Sequence, residues 1–489
     1  MKPAPAYGHS HLLVFRAFPA LVFGASSSSC LRLQRRSMHS LERNDIRSSH
    51  RRTNTVTELP TVDPTTQPPI TEPKNAPLSI LPLSTIIRSF FTSFVSSSAI
   101  LLAPSLRIMS ILAHTENPIL NPDQNPLLRF FLKKTIYAQF CAGETPAEVR
   151  STIAGLKDIG FRGVILGYAK EVVLSQNEAK AAAAEDQGKE TAHDIAAEIE
   201  PWANGTLETV SLAEPGDYVA LKFTGAGRLA LYQLSGNNEP SAHLYKSIDN
   251  ICTLAQQRCV RLLFDAEQDA LQDGIDSWTK MFARKYNTSA DSATVYGTYQ
   301  AYRKATPAVI SRHLAEAQEG GFTLGVKLVR GAYLGSDPRQ CFHDTKGETD
   351  ACYNAVAAAV LTRQWGPVVE GKGEFPNAHM VLATHNAESV RRARAICDAG
   401  GAKSGITFAQ LQGMADEVSC ELVQAGHTNK MANLPTYKYL VWGTTGECMK
   451  YLLRRAHENQ DAVQRTLNGR DAMWAELVRR CKIAVGLAA

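Results

Sequence analysis

The stretch "TLGVKLVRGAY", residues 323–333, decides how the chain reads. It is a short apolar, β-branched run that finishes on polar groups, Lys327 and Arg330. The same pattern occurs upstream in "FRGVILGY" (161–168), "YVALKF" (218–223), "VRLLFDA" (260–266) and "ATVYGTYQAY" (293–302). Downstream it returns in "HMVLATHN" (379–386), "GITFAQLQG" (405–413) and "YKYLVWG" (437–443). Segments with helical spacing, such as "AVISRHLAEAQEG" and "ESVRRARAICDAG", lie between the runs. Eight strands alternating with helices predict an α/β fold with a parallel sheet, and eight is the number that closes a (βα)8 barrel.

The ends of the runs carry groups suited to chemistry: Lys222, Asp265, Gln300, Lys327 with Arg330, His385 with Asn386, Gln410 and Tyr439. A barrel builds its site from the C-terminal ends of many strands. An open doubly wound sheet would gather such residues at one switch point. The spread over the runs therefore favours closure.

The formal charge of +5 is unevenly placed. Residues 1–53 hold nine Lys/Arg and two acids, and the remaining 43 basic and 45 acidic residues sum to −2. The body thus offers no electrostatic case for nucleic acid. The leader has no acid before Glu42 and is rich in Arg and Ser, which matches a mitochondrial transit peptide; a disordered basic tail is the plainer alternative. Residues 54–77 read as a Pro/Thr-rich linker and 78–156 as a helical N-terminal region. Residues 157–486 read as the barrel, with a helical arm at about 172–215. The uncharged "SFFTSFVSSSAILLA" (89–103) falls short of the roughly 20 apolar residues of a membrane span and predicts an amphipathic helix instead. The ten cysteines form no framework and read as reduced, mostly buried thiols. No metal-ligand spacing, nucleophile elbow or phosphate loop stands out.

Gly225-x-Gly227-x-x-Ala230 satisfies a loose dinucleotide fingerprint. The acid expected about 20 residues on is missing, since the next strand's acid is Asp265. A glycine turn between strand and helix explains the motif without a nucleotide.

"YLLRRAHEN", residues 451–459, places Tyr451, Arg454, Arg455 and Glu458 within an arc of roughly 100° on a helix. Leu452, Leu453 and Ala456 fall outside that arc and are expected to pack on the barrel. Two guanidiniums near the loop face can clamp a carboxylate; a solvated, salt-bridged face is the ordinary alternative.

Taken with "VKLVRGAYLGS", "LATHNAES", "FAQLQGMAD", "LKFTG" and "FDAEQD", this motif resembles the proline dehydrogenase family from about residue 160 to 470. The resemblance implies a barrel holding FAD noncovalently. It also implies oxidation of L-proline to Δ1-pyrroline-5-carboxylate by hydride transfer from C5 to flavin N5. The implied acceptor is ubiquinone, at the matrix side of the inner mitochondrial membrane. Carried over by position, Lys222, Arg454 and Arg455 would hold the substrate carboxylate. Asp265, Tyr333, Tyr439 and Tyr451 would shape the site, with Asp265 orienting Tyr439 or Lys222. FAD would contact Gln300, Lys327, Val329, Arg330, Gly331, Ala332, Lys346, Thr349, Thr384, His385, Asn386, Gln410 and Glu458. No metal is expected. Hydroxyproline oxidation by the same machinery and a non-catalytic ligand-binding barrel remain alternatives.

Each residue also has a plainer reading. Lys222 can extend its stem along a strand end, Asp265 can cap the following helix, and Tyr439 can be core. The chain departs from the family where Lys327 and Arg330 exchange the usual positions of Arg and Lys, where Asp337 replaces a glutamate, and where no proline follows Tyr439 in "YLVWGTT".

Overall fold

The computed structural model describes residues 76–169, 190–428, 434–458 and 463–486. The expected targeting segment, nearly all of the expected linker, and residues 172–189 of the expected arm lie outside the described residues.

Among the described residues, nine parallel strands follow one another: β1 (Cys141–Gly143), β2 (Gly163–Tyr168), β3 (Tyr218–Leu221), β4 (Arg261–Phe264), β5 (Val295–Gln300), β6 (Leu324–Val329), β7 (Ala378–Ala383), β8 (Gly405–Leu411) and β9 (Thr436–Trp442). Strands β2 to β9 pair in chain order, and β9 returns to β2 with Tyr439 opposite Ile165. The expected eight-stranded parallel barrel is closed, and each of the eight runs contributes one strand. The ninth strand, β1, was not foreseen, because three residues show no periodicity to read. It joins the edge of β9 at Val441 and Trp442, beyond Tyr439, where β8 stops pairing.

The helices start and stop on local signals. Thr145 caps Pro146–Ile159, which ends on Gly160 at φ +113°. Thr345 and Glu348 form a capping box on Lys346–Thr362. Asn386 caps Ala387–Asp398 through Ser389.

Tyr218, Tyr296 and Tyr437, from the alternate strands β3, β5 and β9, fill the N-terminal end of the barrel. The Tyr218 ring meets the other two edge to face, with centroids 5.6 and 5.3 Å apart. Arg261 donates to the Tyr218 hydroxyl at 2.8 Å. One end is thereby plugged, which leaves the C-terminal end as the mouth.

On the outer wall, Lys438 is buried and pairs with Asp416 at 2.7 Å. Asp416 also accepts from the Ser89 hydroxyl, tying helix Leu83–Ser97 to the barrel. Helix Ala99–His114 follows it. Among the described residues no single helix is long and apolar enough to cross a membrane. Eight described cysteines are free and five of those are buried, as expected.

The glycine motif is a packing device. Gly227 has φ +101°, and a Cβ there would lie 2.0 Å from a Glu198 oxygen. That carboxylate accepts from the backbone N–H of Arg228 at 2.6 Å and from its Nε at 2.8 Å. An acid side chain thus occupies the helix N-terminus that a dinucleotide phosphate would need.

Candidate active site

Asp265 stands at the rim where β4 ends, and Lys327 lies within β6, two strands away. Alternate strands share a side-chain layer in this fold, and here the two residues meet. The Lys327 Nζ lies 2.5 Å from Asp265 Oδ1, with only 9 and 12 % of the two side chains exposed. The same ammonium is 5.7 Å from the centroid of the Tyr439 ring, within cation–π range. Residues assigned from sequence to separate cofactor and substrate sets therefore form one cluster. Asp265 was expected to orient Tyr439 or Lys222; its ion pair with Lys327 was not foreseen.

Tyr439 leans over β2. A Cβ on Gly167 would come within 2.8 Å of its hydroxyl, so the bare glycine makes room for the ring. Tyr439 also touches two apolar clusters, one inside the barrel and one beneath the helix Thr445–Glu458. It links the mouth to that closing helix.

Lys222 follows β3 and is half-buried; its carbonyl accepts from the Trp202 indole at 3.1 Å. Beside it sequence reasoning missed Glu267, although "FDAEQD" contains it. Glu267 is buried and accepts from the Thr224 backbone N–H at 3.1 Å and from the Thr224 hydroxyl. Burial pushes this carboxyl above its ordinary range, against the opposing pull of the Lys222 charge and the Thr224 donors. The Gln300 amide donates to the Glu267 carbonyl at 3.3 Å, which braces the loop after β4.

Arg330 is a second hub. It donates to Asp350 at 2.8 Å, to the Thr384 hydroxyl at 2.6 Å and to the Ser389 hydroxyl at 2.9 Å. Its guanidinium lies 4.4 Å from the Tyr353 ring centroid. Lys346, largely exposed, reaches the same Asp350 at 2.5 Å. Burial raises the Asp350 carboxyl, but Lys346 and Arg330 outweigh it and hold the group below its usual range. Lys346 and Arg330 are thus joined through an acid that sequence reasoning did not name, and Arg330 carries the link directly to Thr384. The Thr349 hydroxyl turns back to the Thr345 carbonyl of its own helix.

After β6 the backbone of Val329, Arg330, Gly331 and Ala332 runs along the rim. The carbonyls of Val329 and Arg330 accept from Ala301 and Tyr302. Gly331 has φ +139°, and a Cβ there would lie 2.2 Å from the Tyr302 ring; only glycine fits. The Tyr302 hydroxyl accepts from the backbone N–H of half-buried Tyr333 at 3.1 Å. Asp337 supports the same loop from below by accepting from the Asp269 N–H.

The His385 Nε2 accepts from the Leu411 N–H at 3.1 Å, so the neutral ring carries its proton on Nδ1. Asn386 is engaged as a helix cap. Gln410 donates to the Thr384 carbonyl and accepts from Ser419. Trp442 is buried on the outer wall, bonded to Thr209, away from the mouth.

On the closing helix, Arg454 and Arg455 are half-buried, and their Nε atoms are shielded from solvent. The Arg455 guanidinium lies 5.4 Å from the Tyr451 ring centroid. Tyr451 is buried with Leu452 and Leu453 among Leu106, Leu132 and Val441. These leucines therefore pack largely against the N-terminal helices, because those helices lie between the closing helix and water. The side chain of Glu458 lies outside the described residues.

The proline dehydrogenase family model matches residues 149–468. A Schizosaccharomyces pombe protein named "Probable proline dehydrogenase, mitochondrial" is 28% identical over 454 residues, covering 81% of this chain and 88% of the relative. Human hydroxyproline dehydrogenase is 30% identical over 389 residues, covering 72% and 82%. Among solved structures, proline utilization A from Bdellovibrio bacteriovorus superposes with a TM-score of 0.55 at 17% identity, likeness in fold alone; the match covers 77% of this chain and 38% of that longer one. Together with the closed barrel, the matched span leaves one assignment: the chain belongs to the proline dehydrogenase family of enzymes.

Proposed function

We propose that this enzyme catalyses the FAD-dependent oxidation of L-proline to Δ1-pyrroline-5-carboxylate and passes the electrons to ubiquinone at the inner mitochondrial membrane. The observation that carries the reading is the cluster of Lys327, Asp265 and Tyr439 at the barrel mouth. Relatives named as mitochondrial proline dehydrogenases support the substrate and compartment, as does the basic, Ser-rich leader.

The residues present fit a flavin. Gly331 exposes rim backbone without a side chain, and Lys327 brings a nearly buried cation to the mouth. Arg330, Thr384 and Lys346 form a braced polar wall. Gln300, Lys327, Val329 to Ala332, Lys346, Thr349, Thr384, His385, Asn386, Gln410 and Glu458 are the residues that would hold it. Bound FAD would supply the hydride acceptor.

The remaining work falls to the chain's own groups. Proline has one strong handle away from its reacting bond, the carboxylate, which Lys222, Arg454 and Arg455 grip. Fixing that group fixes where C5 lies. The clustered positive charge also favours loss of the ammonium proton. A neutral amine is required, because its nitrogen supplies the electron pair for the C5=N bond as hydride leaves C5. Tyr439 covers the ring, and Tyr333 and Tyr451 line the approach.

The test is an anaerobic spectrum of the purified protein, yellow before and bleached after L-proline, with colour restored by a soluble ubiquinone analogue. A spectrum that proline leaves unchanged rules the reading out. A second reading, oxidation of trans-4-hydroxy-L-proline, draws support from the relatives named hydroxyproline dehydrogenase. The bulk of Tyr439 favours proline, and a higher kcat/KM for the hydroxylated substrate would reverse that preference.

A further inference from the structure

We propose that the outward face of the N-terminal helices docks in the plane of an anionic lipid bilayer. The inference rests on the reading that the electrons leave to a membrane-soluble quinone, and it names the surface involved.

Helix Leu83–Ser97 turns Ile86 and Ser89 inward, yet Ile87, Phe91 and Phe94 form a second stripe that is 40–62% exposed. On helix Ala99–His114, Ile100, Ile108 and Ile111 repeat the arrangement at 54–84% exposed. Helix Pro126–Leu132 adds Phe130 and Phe131. A helix on a globular surface ordinarily has one apolar stripe and packs it; these carry another that faces out. At the edge, the Trp474 ring lies 5.4 Å from Phe90 and is itself half-exposed. Exposed aromatic rings beside an apolar face suit the headgroup boundary of a bilayer.

Charge selects the lipid. Residues 83–114 contain Arg88 and Arg107 and no Asp or Glu. Exposed Lys134 sits 5.9 Å from the Phe130 ring centroid. Cations edging an apolar face complement anionic headgroups. An isologous dimer through helices Leu83–Ser97 and Ala99–His114 would bring like cations together with no acid in those two helices to answer them. The helices have 15 and 16 residues and meet at 103°. Each is roughly 22–24 Å long, shorter than the ~30 Å hydrocarbon layer, so the geometry is that of lying in the interface.

The experiment is flotation of the full chain with phosphatidylcholine vesicles, with and without cardiolipin, alongside proline-driven reduction of a soluble dye. The wild type should float with cardiolipin vesicles, less at high salt. Phe91→Glu combined with Ile108→Glu should lower binding about a hundredfold with dye reduction unchanged. Arg107→Gln combined with Lys134→Gln, which leaves the apolar stripes intact, should remove the preference for cardiolipin. Wild-type protein that stays with bulk solvent, or a Phe91/Ile108 variant that floats normally, overturns the proposal. So does a wild-type dimer that this variant turns into monomer, since a second copy would then own the face. Flotation without proline-driven dye reduction would leave the docking surface standing and defeat the catalytic reading instead.

Discussion

Lys327 and Asp265 are 62 residues apart in the chain, yet their charged atoms lie 2.5 Å apart across the barrel mouth. Removing one partner leaves an uncompensated buried charge, which costs about 3–5 kcal/mol. Asp265→Ala and Lys327→Met should each lose stability on that scale in denaturant unfolding. The double variant Asp265→Leu/Lys327→Met should recover much of it while proline-dependent dye reduction stays lost. A double variant no more stable than the singles would contradict the pairing.

Arg455→Met should weaken proline binding far more than flavin retention. Loss of a buried carboxylate anchor is worth about 3–5 kcal/mol, or upwards of about a hundredfold in KM. An unchanged KM, with flavin content as control, would remove this arginine from the clamp.

Gly167→Ala places a methyl 2.8 Å from the present position of the Tyr439 hydroxyl. The ring must move or the strand must give, at a cost of about 1–3 kcal/mol. The expected signature is a fall in kcat/KM for proline with a rise in the hydroxyproline-to-proline ratio. An unaltered ratio would mean that the pose of Tyr439 does not set specificity.

Glu198→Ala strips the helix N-terminus at Arg228 of its carboxylate. A loss of about 1–2 kcal/mol follows from the missing cap and dipole partner. Fluorescence titration should still detect no NAD(H) binding to the wild type; a tight complex would restore the dinucleotide reading of this loop.

Two histidines set part of the acid response. Burial lowers the pKa of His313 to about 3 and, with Arg261 and Arg363 nearby, that of His379 to about 4. Unfolding lets both recover values near 6.5, so the unfolded chain binds more protons between those limits. Their stabilising effect is complete above about pH 6.5 and is lost as pH falls towards 4 and below. Asp276 opposes this, since burial raises it to about 6 and its contribution fades as pH rises through that value. His313→Asn should flatten the stability slope between about pH 4 and 6.5, measured by denaturant unfolding at several pH values. A slope equal to that of the wild type would contradict the assignment.

The barrel was legible because each of the eight strands β2 to β9 carries its own signal. A β-branched run that must be buried on both faces, bounded by turn residues, is visible in a single stretch of chain, and eight of them in alternation with helices leave few architectures. The three-residue β1 carried no such signal. It exists because β8 releases the edge of β9, an event between segments some 300 residues apart, as the pairing of Cys141 with Val441 shows. The polar strand ends were equally visible, since a lysine or an acid closing an apolar run stands out locally.

Partnership was another matter. That Lys327 belongs to Asp265, that Arg330 and Lys346 converge on Asp350, and that Gly167 clears space for Tyr439 depend on strand order and barrel closure. Glu267 had the composition of a site residue from the start, but only burial beside Thr224 and Lys222 separates it from a solvated acid. The order of apolar and polar residues along the chain determined which elements form and which residues reach the mouth. Which of those residues share a charge or a space was decided by tertiary contact alone, because electrostatic and steric coupling depend on distance in space, and sequence spacing reports that distance only within one element.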